Sequence, residues 1–263
     1  MKNRTLLFGE GLFETFRVYR ARRLAFVEDH LDRMAEGANF FALPFTREKA
    51  IDALKLALEE IPPDSEARLR LNLVSEGDHR AEKTAFHTSW EPLPEMGAWQ
   101  DQGVKLAFCP FQRFSGSPLV RFKTTSYLEN IFAFTWARDQ GFFDALFTNE
   151  RGQITEGCIS NVFFFEEGHI WTPPTHAGLL PGVTRKQIIG VARAVGLPVT
   201  ERTVMPGDLD RFDGAFVTNS VIETLPVCTV GDIVYAIPEM IQTLRAGYQE
   251  RLEAAFFRSG PKL

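Results

Sequence analysis

Alternation of apolar and polar residues starts early in the chain. The stretch GLFETFRVYRARRLAF predicts a strand, a basic turn around Ala21–Arg23 and a second strand. In DHLDRMAEGANFFA, residues 29–42, Leu31, Met34, Ala35, Ala38 and Phe41 recur at helical spacing behind Asp29 as a cap. A second helix is expected from Thr46 to about Ile61, where Pro62-Pro63 stops it. ARLRLNLV then alternates again, with Ala67, Leu69, Leu71 and Leu73 on one face and Arg68, Arg70 and Asn72 on the other. GVKLAFC predicts a further strand. Beyond it, Ser126-Tyr127-Leu128-Glu129 has the spacing of a capping box and opens a helix that runs to about Asp139. DALFT, NVFFF and HIWT predict strands, and a second capping box at Thr184-Arg185-Lys186-Gln187 predicts a helix ending at Gly196. GAFVTN predicts a short strand, and a last helix spans about Glu239 to Phe257. The segment QRFSGSPLVR gathers Gly, Ser and Pro between periodic stretches and reads as a linker. Strands and helices follow one another without a regular βαβ alternation, so the class is α+β in two lobes. The expected division is a smaller N-terminal domain over 1–112, a linker over 113–120 and a larger C-terminal domain over 121–263.

Composition narrows the function classes. At 263 residues, with 44% hydrophobic and 24% charged residues, the chain can bury a substantial core. A net charge of -5, with no basic stripe, argues against a nucleic-acid partner. Three widely spaced cysteines without a CxxC pair argue for a reducing compartment. No apolar run approaches the length needed to span a membrane, so the expected location is the cytoplasm. The five histidines lack metal-ligand spacing, which argues against a metal centre. Phenylalanine is over-used, 24 against 4 Tyr and 4 Trp, and predicts a Phe-rich core.

Four segments carry candidate chemistry. In RFKTTSYLENIFAF, Lys123 stands between a strand end and a helix start, as a surface lysine or as an amine held for covalent chemistry. In QITEGCISNVFF, Glu156 precedes a glycine turn; composition favours an exposed acid over a partner for a buried cation. In GLLPGVTRKQII, Gly182 allows close backbone approach, and free N–H groups at a helix start attract phosphate, although a plain capped helix would look the same. In FVTNSVIETLPV, an apolar strand ends in Thr218, Asn219 and Ser220, which could hold phosphate or form a turn. Together an amine, an acid, a helix start and a hydroxyl cluster are the parts that hold pyridoxal phosphate.

At these residues the chain resembles the class IV, fold-type IV pyridoxal-phosphate enzymes, among them branched-chain and D-amino acid aminotransferases and 4-amino-4-deoxychorismate lyase. FKTTSYLENIFA, ITEGCISNVFF, GLLPGVTR and FVTNS match the family's segments in order, and HLDRM matches its early arginine. The resemblance implies a D-amino acid aminotransferase-like fold of two lobes, a homodimer, and a small-molecule amino substrate. It implies that Lys123 is the Schiff-base lysine and proton shuttle, that Glu156 pairs with the pyridine nitrogen, and that Arg33 binds the phosphate. Leu180 would pack on the ring; the Val183 and Thr184 amides and the Ser220 hydroxyl would hold the phosphate. Tyr127 would lie near the phenolic oxygen, and Asn161 would support the site. Within the family, three features lean toward the lyase, which forms p-aminobenzoate and pyruvate for folate synthesis. They are Thr15 in GLFETFRV, the spacing from Lys123 to the following helix, and FVTNSVIETLPV. The Thr15 hydroxyl could pass a proton to the leaving group, though a strand threonine is equally natural. The alternative is an aminotransferase acting on branched-chain L-amino acids or on D-amino acids. VSEGDHRAEK does not match the family's carboxylate clamps, which leaves Arg17, Arg68, Arg70, His79 and Arg80 as candidate carboxylate binders.

Overall fold

A computed structural model describes residues 1–258. In chain order its elements are β1 (Lys2–Asn3), α1 (Arg4–Phe8), β2 (Gly11–Tyr19), β3 (Arg23–Ala25), α2 (Val27–Phe40), α3 (Arg47–Glu60), β4 (Ala67–Gly77), β5 (Lys83–Pro92), α4 (Gly97–Gln102), β6 (Val104–Phe108) and α5 (Leu128–Asp139). They continue with β7 (Asp144–Thr148), β8 (Ile154–Gly157), β9 (Asn161–Glu166), β10 (His169–Thr172), α6 (Val183–Ala194), β11 (Val199–Glu201), β12 (Gly214–Asn219), β13 (Glu223–Val230), β14 (Ile233–Val234), α7 (Met240–Ala255) and β15 (Phe256–Arg258). No helix among the described residues is long and apolar enough to cross a membrane.

The chain divides into two compact units. The first holds Met1–Pro94, Phe122–Tyr127 and the described residues from Leu252 on; the second holds Glu95–Arg121 and Leu128–Arg251. The stretch 113–120, expected as a linker, therefore lies inside the second unit. Its first residue, Arg113, is buried, and the Arg113 N–H donates to the Thr148 carbonyl at 2.9 Å. The strand over 104–108, expected in the N-terminal domain, also belongs to the second unit. Residues 259–263 of the expected C-terminal domain lie outside the described residues.

The first unit is an antiparallel sheet in the order β1-β4-β2-β3-β15, with β5 paired to β4. The strict alternation of β2 and β4 sends Leu12, Phe16, Val18, Leu69, Leu71 and Leu73 into one core with Leu31 and Met34 of α2 and Leu54 and Leu58 of α3. Burial at this level is worth roughly 1.5–3 kcal/mol for each large aliphatic side chain. Helix α2 starts two residues before the expected cap. Its N-cap is Phe26, in the left-handed conformation, and Asp29 sits in the first turn.

The second unit is built on a sheet in the order β11-β10-β9-β12-β13-β6-β7-β8, with β14 paired to β13. Pairing is parallel at β10–β11, β13–β6 and β6–β7 and antiparallel elsewhere. Strand β9 is buried on both faces, which is why NVFFF is a continuous apolar run rather than an alternating one. Val162 and Phe164 enter the core with Val217 and Leu225, while Phe163 stacks on Phe216 at 4.7 Å on the other face. Phe147, Phe163, Phe164, Phe165 and Phe216 are all buried in this unit.

Candidate functional site

The expected site residues divide between the units. Lys123, Tyr127, Thr15 and Arg33 lie in the first; Glu156, Asn161, Leu180, Val183, Thr184 and Ser220 lie in the second.

In the first unit, residues 123–125 run beside the start of β2. The Phe13 N–H donates to the Lys123 carbonyl and the Thr125 N–H to the Gly11 carbonyl, each at 2.9 Å. The two hydroxyls that follow, Thr125 and Ser126, both donate to the Gly9 carbonyl, at 2.7 and 3.1 Å. Gly9 has φ 68°, and a Cβ there would meet the Ser126 hydroxyl at 2.4 Å, so the glycine in FGEGLF is needed for this seat. Lys123 is half-buried rather than a free surface lysine. Its Nζ lies 4.5 Å from the centroid of the Phe13 ring and 5.7 Å from that of Tyr127, and the two rings meet edge to face.

Strand parity puts Thr15 on the same sheet face as Phe13. Its cross-strand partner is Arg70, whose guanidinium lies 3.6 Å over the Phe13 ring and donates to Asn72 at 2.9 Å. Burial lowers the Arg70 pKa, and no carboxylate of the described residues is among its contacts. The other candidate carboxylate binders differ. Arg17 is paired to Glu66 at 2.9 Å, Arg68 is paired to Glu91, and His79 and Arg80 are exposed.

The same parity that buries Leu12 and Phe16 buries Glu14 between them, fully removed from solvent. Helix α2 supplies its partners. Arg33 Nε and Nη2 donate to the two Glu14 oxygens at 2.8 and 2.6 Å, and His30 Nδ1 lies 2.7 Å from Glu14 Oε2. Burial alone would raise the Glu14 carboxyl, but Arg33 and His30 outweigh it and bring its pKa to about 2. Burial pushes the His30 pKa down, against the pull of Glu14. Sequence reasoning missed Glu14. The signal was a carboxylate at a core-facing position of an alternating strand, with His and Arg three residues apart on the next helix.

In the second unit, Glu156 is buried, 6% exposed, which overturns the composition-based preference for an exposed acid. Arg113 Nη1 donates to its Oε1 at 3.2 Å. The Leu180 N–H donates to its Oε2 at 3.0 Å, and Asn161 Nδ2 reaches the same oxygen at 3.4 Å. Asn161 also donates to the Leu180 carbonyl at 3.0 Å, so it ties the glutamate to the 180–184 segment. Arg113 in turn lies 3.8 Å over the Phe147 ring and donates to Asn130, whose amide donates to the Cys158 carbonyl at 2.7 Å. Neither Arg113 nor Asn130 was expected; the first sat in the presumed linker.

Helix α6 begins at Val183 with Gly182 as N-cap, and no side chain caps it. The capping box read at Thr184 does not form: Thr184 is inside the first turn and buried. The backbone N–H groups of Val183 and Thr184 thus open the helix without a side-chain acceptor at the cap. A Cβ on Gly182 would come within 2.0 Å of Asn161 Oδ1, so only glycine allows the helix start to lie against Asn161. On the adjacent strand, Thr218 is the register partner of Asn161; its hydroxyl is buried and has no hydrogen-bond partner among the described residues. Ser220 follows the strand, half-buried, in a turn where Asn219 Oδ1 accepts the Val221 and Ile222 N–H groups at 2.8 and 2.9 Å.

The chain is similar to known proteins over most of its length. The family model described as "Amino-transferase class IV" matches residues 11–230. The aminodeoxychorismate lyase of Bacillus subtilis (strain 168) is 29% identical, over 97% of this chain and 89% of its own. The D-alanine aminotransferase of Listeria monocytogenes serotype 4b (strain F2365) is 26% identical, over 90% of this chain and 83% of its own. Among solved structures, the PLP-bound form of a hypothetical aminotransferase from Mycobacterium tuberculosis superposes with a TM-score of 0.84. It is 24% identical and covers 96% of this chain and 92% of its own. Both units have the mixed helices and sheets of the fold-type IV enzymes, and the match spans both. The chain belongs to the class IV aminotransferase family of pyridoxal-phosphate-dependent enzymes.

Proposed function

We propose that the chain is an aminodeoxychorismate lyase, converting 4-amino-4-deoxychorismate to p-aminobenzoate and pyruvate for folate synthesis. The observation that carries this reading is the polar face of β2 and β4. There the Lys123 amine and the Arg70 guanidinium lie against the same Phe13 ring, and the Thr15 hydroxyl stands on the same face opposite Arg70 in register.

The donor set fits pyridoxal phosphate. Every partner named for Glu156 is a donor to it, which favours the ionised carboxylate that a protonated ring nitrogen requires. The uncapped start of α6 and the orphaned Thr218 hydroxyl are suited to a phosphate. When bound, the cofactor supplies an electron sink that makes the proton on the substrate's amine-bearing carbon acidic. In this reading Lys123 forms the covalent attachment and moves that proton with its Nζ. In the first unit Arg33, fixed by Glu14, is assigned to the phosphate; in the second unit the Val183 and Thr184 N–H groups and the Ser220 hydroxyl are assigned to it. Leu180 packs on the ring, Tyr127 faces its phenolic oxygen, and Asn161 fixes Glu156. Arg70 anchors a substrate carboxylate, and the Thr15 hydroxyl hands a proton to the departing pyruvate carbon. The carboxylate anchor is a half-buried guanidinium without an acid of its own, which is the state that gains most from a carboxylate.

The second reading is an aminotransferase of the branched-chain or D-amino acid kind, favoured by the like identity of the Listeria relative. The Lys123 chemistry serves both, and Thr15 separates them. The deciding experiment supplies 4-amino-4-deoxychorismate to the purified holoenzyme and, separately, D-alanine, D-glutamate and L-leucine. Stoichiometric p-aminobenzoate and pyruvate, reduced about 10²-fold or more in a Thr15→Val variant, are expected for a proton relay. Rapid conversion of the cofactor to its amine form by the amino acids, with no pyruvate released from the aminodeoxychorismate, contradicts the lyase. We further propose a homodimer, supported by the exposed apolar face of Leu128, Ile131 and Phe132 on α5. Sedimentation of the same preparation at monomer mass at micromolar concentration would remove that part.

A further inference from the structure

Arg113 takes no part in the roles assigned so far, yet it is among the most constrained arginines in the second unit. It is 7% exposed, and three separate structures fix it: its backbone N–H on Thr148, its guanidinium plane on the Phe147 ring, and its nitrogens on neighbouring side chains. Nη1 meets Glu156, Nη2 meets Asn130, and Nε lies 3.4 Å from the exposed Glu129 carboxylate. Asn130 is locked to the Cys158 carbonyl, on the turn that separates Glu156 from Asn161.

The arrangement is asymmetric in a way that matters chemically. One Glu156 oxygen is held by a fixed positive charge and the other by two neutral donors from the 161 and 180 positions. A buried carboxylate with only neutral donors takes up a proton at higher pH than an ordinary one, because desolvation penalises the charged form. A rigid guanidinium reverses that preference and also sets the angle of the carboxylate plane. The guanidinium is in turn held by the Phe147 ring and by Asn130.

We infer that Arg113 is a positioning residue: it keeps Glu156 ionised and fixes its orientation toward the ring nitrogen of the cofactor. The inference rests on Glu156 serving that nitrogen, as proposed above. It assigns to the loop after β6 the setting of the cofactor's protonation, although no residue of that loop needs to touch the cofactor.

Binding measured on apoprotein separates this role from a structural one. Native, Arg113→Gln, Arg113→Lys, Glu156→Gln and the Arg113→Gln/Glu156→Gln double variant are titrated with pyridoxal phosphate at about pH 8 and about pH 6, by absorbance and intrinsic fluorescence. Arg113→Gln should bind more weakly than native, and the deficit should widen about tenfold at the lower pH, where its Glu156 picks up a proton. Arg113→Lys keeps the charge without the fork; it should be weaker than native at both pH values, with no widening. The double variant should match Glu156→Gln alone, since Arg113 acts through that side chain. Native-like binding of Arg113→Gln at both pH values overturns the inference, as does a double variant whose loss is the product of the single losses. Should Arg113→Gln fail to fold, native-like affinity of Arg113→Lys overturns it equally. Unchanged affinity in Glu156→Gln removes the assignment of Glu156 itself, and the role of Arg113 with it.

Discussion

Glu14 shows how much a single buried charge can organise. Its carboxylate sits where alternation demands an apolar side chain, and it is held there by Arg33 and His30. Removing one member of a buried ionic set leaves the rest uncompensated, so Glu14→Gln should destabilise the protein by on the order of 3 kcal/mol at neutral pH. The pH dependence has a definite sign. The folded carboxyl pKa, about 2, lies below the ordinary 4.5, so its contribution is complete above 4.5 and is lost as the pH falls toward about 2. His30 is shifted below 6.5, so the unfolded chain takes up its proton first and stability also falls as the pH drops through that value. Urea unfolding across the acid range should show both losses in the native protein, and Glu14→Gln should flatten the lower one while deepening the upper, because the pull of Glu14 on the His30 proton is gone. An unchanged lower limb would mean that Glu14 is not the titrating group. At this scale a motif drew attention to Lys123, Glu156 and Arg33, but residue type alone favoured an exposed acid at Glu156, which is buried. Glu14, Arg113 and Asn130 were not legible, because each takes its partners from distant parts of the chain.

Among the elements, those with a clear period were readable and those without were not. The strands β2, β4, β7, β9 and β12 and the helices α2, α3, α5 and α6 follow the pattern closely. Strand β5 escaped because it lies at a sheet edge with most side chains in solvent, so KTAFHTSWEP shows no core-facing alternation. Strand β13 carries Pro226, which argues against a paired strand, yet Pro226 stands opposite Phe216 of β12 and the ladder with β6 begins only after it, at Val227. The misread cap of α6 has the most functional weight, because a helix start left uncapped by side chains is open to an anion. Gly182→Ala tests that start. The added methyl must displace Asn161, which disturbs the contacts to Leu180 and Glu156 together. Cofactor affinity should fall by about tenfold or more while the thermal midpoint moves only a few degrees. A large fall in the midpoint with native affinity would make the glycine purely structural.

For the molecule as a whole, the order of strands and helices announced a two-part α+β protein; the chain does divide into two units, but their boundaries are not where local punctuation put them. A run of Gly, Ser and Pro marks irregular backbone and does not say whether that backbone is packed. Here Ser115 is tied to Glu150 through its N–H at 2.8 Å and its hydroxyl at 2.7 Å, and Arg113 is buried. The lysine segment 122–127 returns to the first unit, and β15 closes on β3 from the far end of the chain. Such pairings span more than a hundred residues, and no local window contains them. The proposed chemistry centres on one amine, Lys123. Borohydride reduction of the holoenzyme, followed by proteolysis and mass spectrometry, locates the covalent attachment. The pyridoxyl label is predicted on Lys123 and should be absent from a Lys123→Ala variant; a label on another lysine, or none on protein that holds stoichiometric cofactor, would contradict the account.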